Sequence, residues 1–165
     1  MAWVASLNYQ GPTAIILSRQ ALPELLATRV PIEQGLGRGA YVVFGKDEKV
    51  DITLVASGSE LNLAFDTAEE LQKLDKKVKV ISMPCWEIFE KQPVDYQKQI
   101  FNESNGLCVS IEAGIDQGWH KYIGSQGLAI CMESFGASAP IGALAREFGF
   151  TVESILERIL SHKEN

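Results

Sequence analysis

Short apolar runs rich in β-branched residues, each bounded by polar or glycine-containing turns, recur at Tyr41–Phe44, Ile52–Ala56, Val78–Ser82, Cys108–Ile111 and Leu128–Met132. Most are apolar on both faces, the pattern of strands in a parallel sheet covered by helices. Helix-like segments separate them. In SGSELNLAFDTAEELQKLDKK, Leu61, Leu63, Ala64, Ala68, Leu71 and Leu74 fall near helical spacing, and Ser57 or Ser59 stands where it can cap the start. SMPCWEIFEKQ carries Pro84 at a first-turn position, and APIGALAREFG ends on a glycine suited to a C-cap. TVESILERIL opens with a Thr-x-x-Ser cap and an acidic first turn. Strand and helix in alternation predict right-handed crossovers and an α/β fold in which helices sandwich a sheet.

The start of the chain does not fit this unit. WVASLNYQGPTAIILSRQALPEL reads as a helix end, a Gly-Pro turn and one strand, and ATRVPIEQGLGRGAY reads as a proline- and glycine-rich linker. One helix and one strand cannot bury a core of their own. Residues 1–34 are therefore expected to be the tail of a preceding domain with its linker, and residues 35–165 a self-contained α/β domain.

Composition narrows the class. A length of 165 residues suffices for a sizeable core without disulfides or metals. Twenty-one acidic against fifteen basic side chains give a net charge of −6, with no basic cluster, so nucleic acid is not an expected partner. Cys85, Cys108 and Cys131 stand far apart with no CxxC pair, which suggests buried thiols in a reducing compartment and neither a disulfide framework nor a zinc site. No apolar stretch has membrane-spanning length, and MAWVASLNYQ lacks the basic start and apolar centre of a signal peptide, so the cytoplasm is the expected location.

Few local constellations point to chemistry. The run Ala14-Ile15-Ile16-Leu17 ends in Ser18-Arg19-Gln20. Loops that leave the carboxyl ends of parallel strands hold ligands in α/β proteins, and arginine is the usual grip for an anion, yet a solvated surface charge satisfies the same pattern. In DITLVASGSELNLA a strand runs into Ser57-Gly58-Ser59 and a helix, a geometry that aims N–H groups at an anion. Neither GxGxxG nor GxxxxGK[ST] is present there, and Glu60 would repel a phosphate. His120 sits beside Trp119 and Tyr122 with Glu112 and Asp116 as candidate partners; a partly exposed helix histidine accounts for it. Cys85 follows Pro84 near a helix start, but Trp86, Ile88 and Phe89 favour a packed, inert thiol. In MESFGASAP, small residues in tight succession allow a close approach by a ligand or by another chain.

Together, GPTAIILSRQALP, VASGSELNLA, VKVISMPCWEIFEKQ, IEAGIDQGWHKYIG and FGASAPIGALAREFGFTVESILERI stand in the order and spacing of the C-terminal part of transketolases. The chain resembles that family over nearly its whole length, SMPCWEIFE and FGASAP being the most specific blocks. The resemblance implies a parent enzyme of the pentose phosphate pathway that uses thiamine diphosphate and a divalent cation, Mg or Ca. Such an enzyme moves a two-carbon ketol unit from a ketose phosphate to an aldose phosphate and works as a homodimer. It implies a three-layer α/β/α sandwich with a five-stranded, mostly parallel mixed sheet whose first strand, Ala40–Phe44, is antiparallel. It further implies that Arg19, the arginine of Ser-Arg-Gln, binds the terminal phosphate of the substrate, and that Ala14–Leu17 is the last strand of the pyrimidine-binding domain.

The chain lacks the family's Gly-Asp-Gly with its downstream Asn, and the matching stretches do not include the cofactor-activating glutamate or the substrate histidines. The resemblance therefore implies no catalytic, cofactor or metal ligands in this chain and an inactive fragment that serves dimer contacts or regulation. Two alternatives remain: a non-enzymatic interaction module binding a metabolite at Ser57–Ser59, and a fragment of a related thiamine-dependent enzyme such as dihydroxyacetone synthase.

Overall fold

The computed structural model describes residues 2–23, 32–45, 50–101 and 106–162. Five strands form one sheet: β1 (Tyr41–Phe44), β2 (Ile52–Ala56), β3 (Val78–Ser82), β4 (Leu107–Glu112) and β5 (Leu128–Cys131). Their order is β1-β3-β2-β4-β5, with β1 antiparallel to β3 and the other pairs parallel. This is the mixed sheet that the alternation and the resemblance led us to expect. All of β2 and β3 is buried, as continuous apolar runs between two helical layers must be.

One layer consists of helices α3 (Glu60–Lys73) and α8 (Val152–His162). Ala64, Ala68 and Leu71 follow at intervals of four and three, so they share one face. With Ile155 and Ile159 they join a core that includes Leu54, Val80, Val109 and Ile130. The opposite layer holds α4 (Trp86–Glu90), α5 (Val94–Ile100) and α6 (His120–Ile123), which bury Phe89, Ile100, Trp119 and Ile123 against Val55 and Ile81. Each such large apolar side chain contributes about 1.5–3 kcal/mol. The helix expected in SMPCWEIFEKQ forms as α4, and α5 follows it as a separate helix. Pro93, in an extended conformation, is the N-cap of α5, a helix the sequence reading left out.

Helix α7 (Ile141–Glu147) ends as the sequence predicts. Gly149 has φ +76°, Phe150 N–H donates to Ala145 O at 2.7 Å and Gly149 N–H to Arg146 O at 3.4 Å, the paired bonds of a Schellman motif. Thr151 caps α8 by accepting from Ser154 N–H at 3.3 Å. Ser59 stands at the N-cap position of α3, as expected, but without a side-chain cap bond: the hydroxyls of Ser57 and Ser59 donate instead to the carboxylates of Glu112 and Glu60, at 2.9 and 2.8 Å. A charged acceptor is the stronger partner.

At the amino end, α1 (Ala2–Asn8) is the expected helix, and a short helix α2 (Ile32–Leu36) lies within the expected linker. The expected strand at Ala14–Leu17 does not form. The segment is not in a strand, and Ile16 and Leu17 are 92% and 80% exposed. A strand exists only as a member of a ladder, and no described strand pairs with these residues. Among the described residues no helix is long and apolar enough to cross a membrane.

Candidate functional site

The strand order reverses between β2 and β4. The chain leaves β2 through α3 towards β3 and β1, whereas β4 leads on to β5. A crevice opens at the carboxyl ends of strands where the order reverses, the usual ligand position in open α/β sheets. Ser57 follows β2 and Glu112 ends β4, and their 2.9 Å hydrogen bond spans this point. Burial, reinforced by the nearby charge of Glu60, raises the pKa of Glu112 above the ordinary carboxylate value, while the bond from Ser57 opposes the shift. Sequence reasoning treated Glu112 only as a partner for His120. Its place at the reversal follows from strand order, which hydropathy spacing does not encode.

Beside this point lies a cleft of about 420 Å³ between α3, α7 and the residues that follow β4 and β5. Its walls include Glu60 and Asp66 of α3, Met132 after β5, and Ile141 and Leu144 of α7. Gln20 and Leu22 also reach it, so the segment bearing Ser18-Arg19-Gln20 runs along the cleft although it forms no strand. Arg19 is exposed beside Gln20 and makes no ion pair among the described residues. Among the described residues the cleft lining carries two carboxylates and no lysine or arginine. Arg19 is thus the cation next in sequence to the cleft-lining Gln20, and the described lining residues supply no other. FGASAP borders the same space through Gly136 and Ala137, and Phe135 is 99% exposed.

The other candidates fall elsewhere. His120 pairs with Asp116 at 3.1 Å, both side chains exposed, so the structure selects Asp116 over Glu112. Cys85 is the N-cap residue of α4 and half-buried, and burial raises its pKa. Burial also pushes the thiol of Cys108 up to about 12 and that of Cys131 to about 11, which suits packed, unreactive cysteines.

The comparisons with known proteins agree with this architecture. Residues 39–151 match the family model described as the transketolase-like C-terminal domain. The chain belongs to the transketolase C-terminal domain family. Transketolase from Staphylococcus aureus is 41% identical over 162 residues, which is 98% of this chain and 24% of that protein. Transketolase from Campylobacter jejuni superposes with a TM-score of 0.81 at 35% identity, over 97% of this chain and 24% of that one. Pichia stipitis transketolase, in a complex with sedoheptulose 7-phosphate, gives a TM-score of 0.77 at 31% identity, over 87% of this chain and 20% of that one. This chain spans about a quarter of the length of the transketolases it matches.

The residues present do not fit thiamine diphosphate with its divalent cation. Among the described residues no three His, Cys, Asp or Glu side chains gather into a metal-binding group. The strand-to-helix turn at Ser57–Ser59 is hydrogen-bonded to two carboxylates, which repel a diphosphate.

Proposed function

We propose that this chain is the carboxyl-terminal part of a thiamine-diphosphate-dependent transketolase, in which residues 35–165 form the C-terminal domain and residues 1–34 the end of the pyrimidine-binding domain with its linker. The parent transfers a two-carbon ketol unit between sugar phosphates in the pentose phosphate pathway of the cytoplasm and works as a homodimer. Its cofactor and metal are held by residues outside this chain, and this chain alone is inactive. Arg19 contributes one grip on the terminal phosphate of the substrate. A planar guanidinium suits a phosphate dianion, because two parallel N–H donors fix its orientation as well as its charge.

The observation that supports the reading is that Gln20, the residue after Arg19, lines the cleft at the carboxyl ends of the strands, with Arg19 exposed and without an ion pair among the described residues. The bound sugar phosphate of the Pichia stipitis transketolase supports the substrate class. Exposed apolar side chains on the same segment and on FGASAP, among them Ile16, Leu17, Phe135 and Ile141, support burial against the rest of the dimer.

The test places this chain in a complete enzyme by substituting it for the matching quarter of the Staphylococcus aureus transketolase. Arg19→Ala is expected to raise the KM for phosphorylated sugars about 10- to 100-fold, the loss of one charge-assisted contact, with little change for a non-phosphorylated acceptor. An unchanged KM for the phosphorylated sugars removes Arg19 from the site.

A further inference from the structure

On the sheet face covered by α4, α5 and α6, at the amino ends of the parallel strands, a cavity of about 670 Å³ opens between α5 and α6. It is bordered by Leu107 at the start of β4 and by residues 124–127 before β5, so it lies at the end of the sheet opposite Arg19 and the Ser57–Glu112 pair. We propose that this cavity binds a small organic anion with a flat apolar body.

Three independent observations carry the proposal. The first is charge: in a chain of net charge −6, the charged side chains among the described residues that line the cavity are Lys98 and Lys121. Lys98 makes no ion pair among the described residues, and Lys121 uses one of its three donors on Glu90 Oε1, at 2.6 Å. The second is an unmet polar group in the wall. Thr53 is 2% exposed, and its hydroxyl has no hydrogen-bond partner among the described residues. Buried hydroxyls are nearly always paired, so an orphan in a cavity wall marks a place for a ligand atom. In register, Thr53 faces Lys79 on one side and Cys108 on the other, which puts the three side chains on the same face of the sheet. Lys79 is buried and donates to Ile100 O at 2.8 Å.

The third observation is shape. The rings of Phe101 and Tyr122 both line the cavity, with centroids 5.5 Å apart and planes tilted by 34°. Tyr122 is held in place by its hydroxyl, which donates to Glu90 Oε1 at 2.6 Å. Apolar walls with a few convergent polar groups, in a space within the usual range of about 300–1,000 Å³, characterise small-molecule sites.

Phenyl phosphate is a suitable probe, titrated into the 165-residue chain and followed by amide NMR, with inorganic phosphate and benzyl alcohol in parallel. Phenyl phosphate is expected to give saturable shifts at Gly106, Ser125 and Gly127, with a midpoint below about 1 mM. Inorganic phosphate, which lacks the apolar body, binds at least about tenfold more weakly. Lys98→Gln raises the midpoint about tenfold and Thr53→Val about fivefold, as expected for a lost charged and a lost neutral hydrogen bond, with the amides beside Glu112 unmoved. The proposal is overturned if phenyl phosphate does not saturate, if benzyl alcohol gives the same shifts with the same midpoint, or if both variants bind as the parent does.

Discussion

Gly39 and Gly58 both have left-handed backbones, φ +80° and +51°, but only one of them is walled in. A Cβ on Gly39 would lie 2.4 Å from Cys85 O, 2.4 Å from Phe89 N and 3.0 Å from Ile88 C, all backbone atoms of the start of α4. A Cβ on Gly58 would meet nothing within 4 Å. Alanine at either position incurs the left-handed penalty of about 1–2 kcal/mol. At Gly39 it must also push α4 off the sheet, because backbone atoms cannot rotate aside, and such overpacking adds about 1–3 kcal/mol. The Cys85 N–H to Gly39 O bond, 3.1 Å, and the packing of Phe89 are strained by the same shift. Gly39→Ala therefore loses about 2–5 kcal/mol in total, which at about 2–4 °C per kcal/mol lowers Tm by about 4–20 °C. Gly58→Ala keeps only the first penalty, a fall of about 2–8 °C. Thermal unfolding of both variants, followed by far-ultraviolet circular dichroism, measures the difference. If Gly39→Ala melts no lower than Gly58→Ala, the close approach of residue 39 to α4 is not what seats that helix.

Glu112→Gln should raise Tm at about pH 7 and lose that advantage at about pH 4. The folded-state pKa of Glu112 lies above its ordinary value, so its contribution is present at low pH and is lost as pH rises through the folded pKa. Glutamine can still accept from Ser57 without the buried charge, and a variant less stable than the parent at neutral pH would contradict this account. Native alkylation with iodoacetamide in mildly alkaline buffer should label Cys85 well before Cys108 or Cys131, whose thiols are held up at about 12 and about 11. Equal labelling of all three by mass spectrometry would show that the sheet layer opens more readily than its burial implies.

The sheet was legible because β-branched runs buried on both faces have few other ways to satisfy their backbone. Helix α3 followed from apolar spacing, α7 from the C-cap glycine Gly149, and α8 from the Thr151 cap and its acidic first turn. What spacing did not reveal depends on neighbours distant in sequence. Ala14–Leu17 has strand composition, yet without a ladder partner among the described residues it forms no strand, and Ile16 and Leu17 are exposed. Ser57 and Ser59 have cap composition, but two carboxylates take their hydroxyls. The Ser57–Glu112 pair and the Lys79-Thr53-Cys108 row arise only once β2 lies between β3 and β4. Arg19 was singled out from its place after an apolar run and from the family resemblance. The cleft lined by the next residue, Gln20, needed the fold.

We propose that this chain, as the C-terminal part of a transketolase, does no chemistry alone. The direct measurement is the rate of ketol transfer from xylulose 5-phosphate to ribose 5-phosphate, with this chain alone at stoichiometric concentration and with it substituted into the Staphylococcus aureus enzyme that it matches at 41% identity. The account predicts no turnover by the chain alone and clear turnover by the substituted dimer. Turnover by the isolated chain, or a folded and dimeric substituted enzyme without activity, would contradict it.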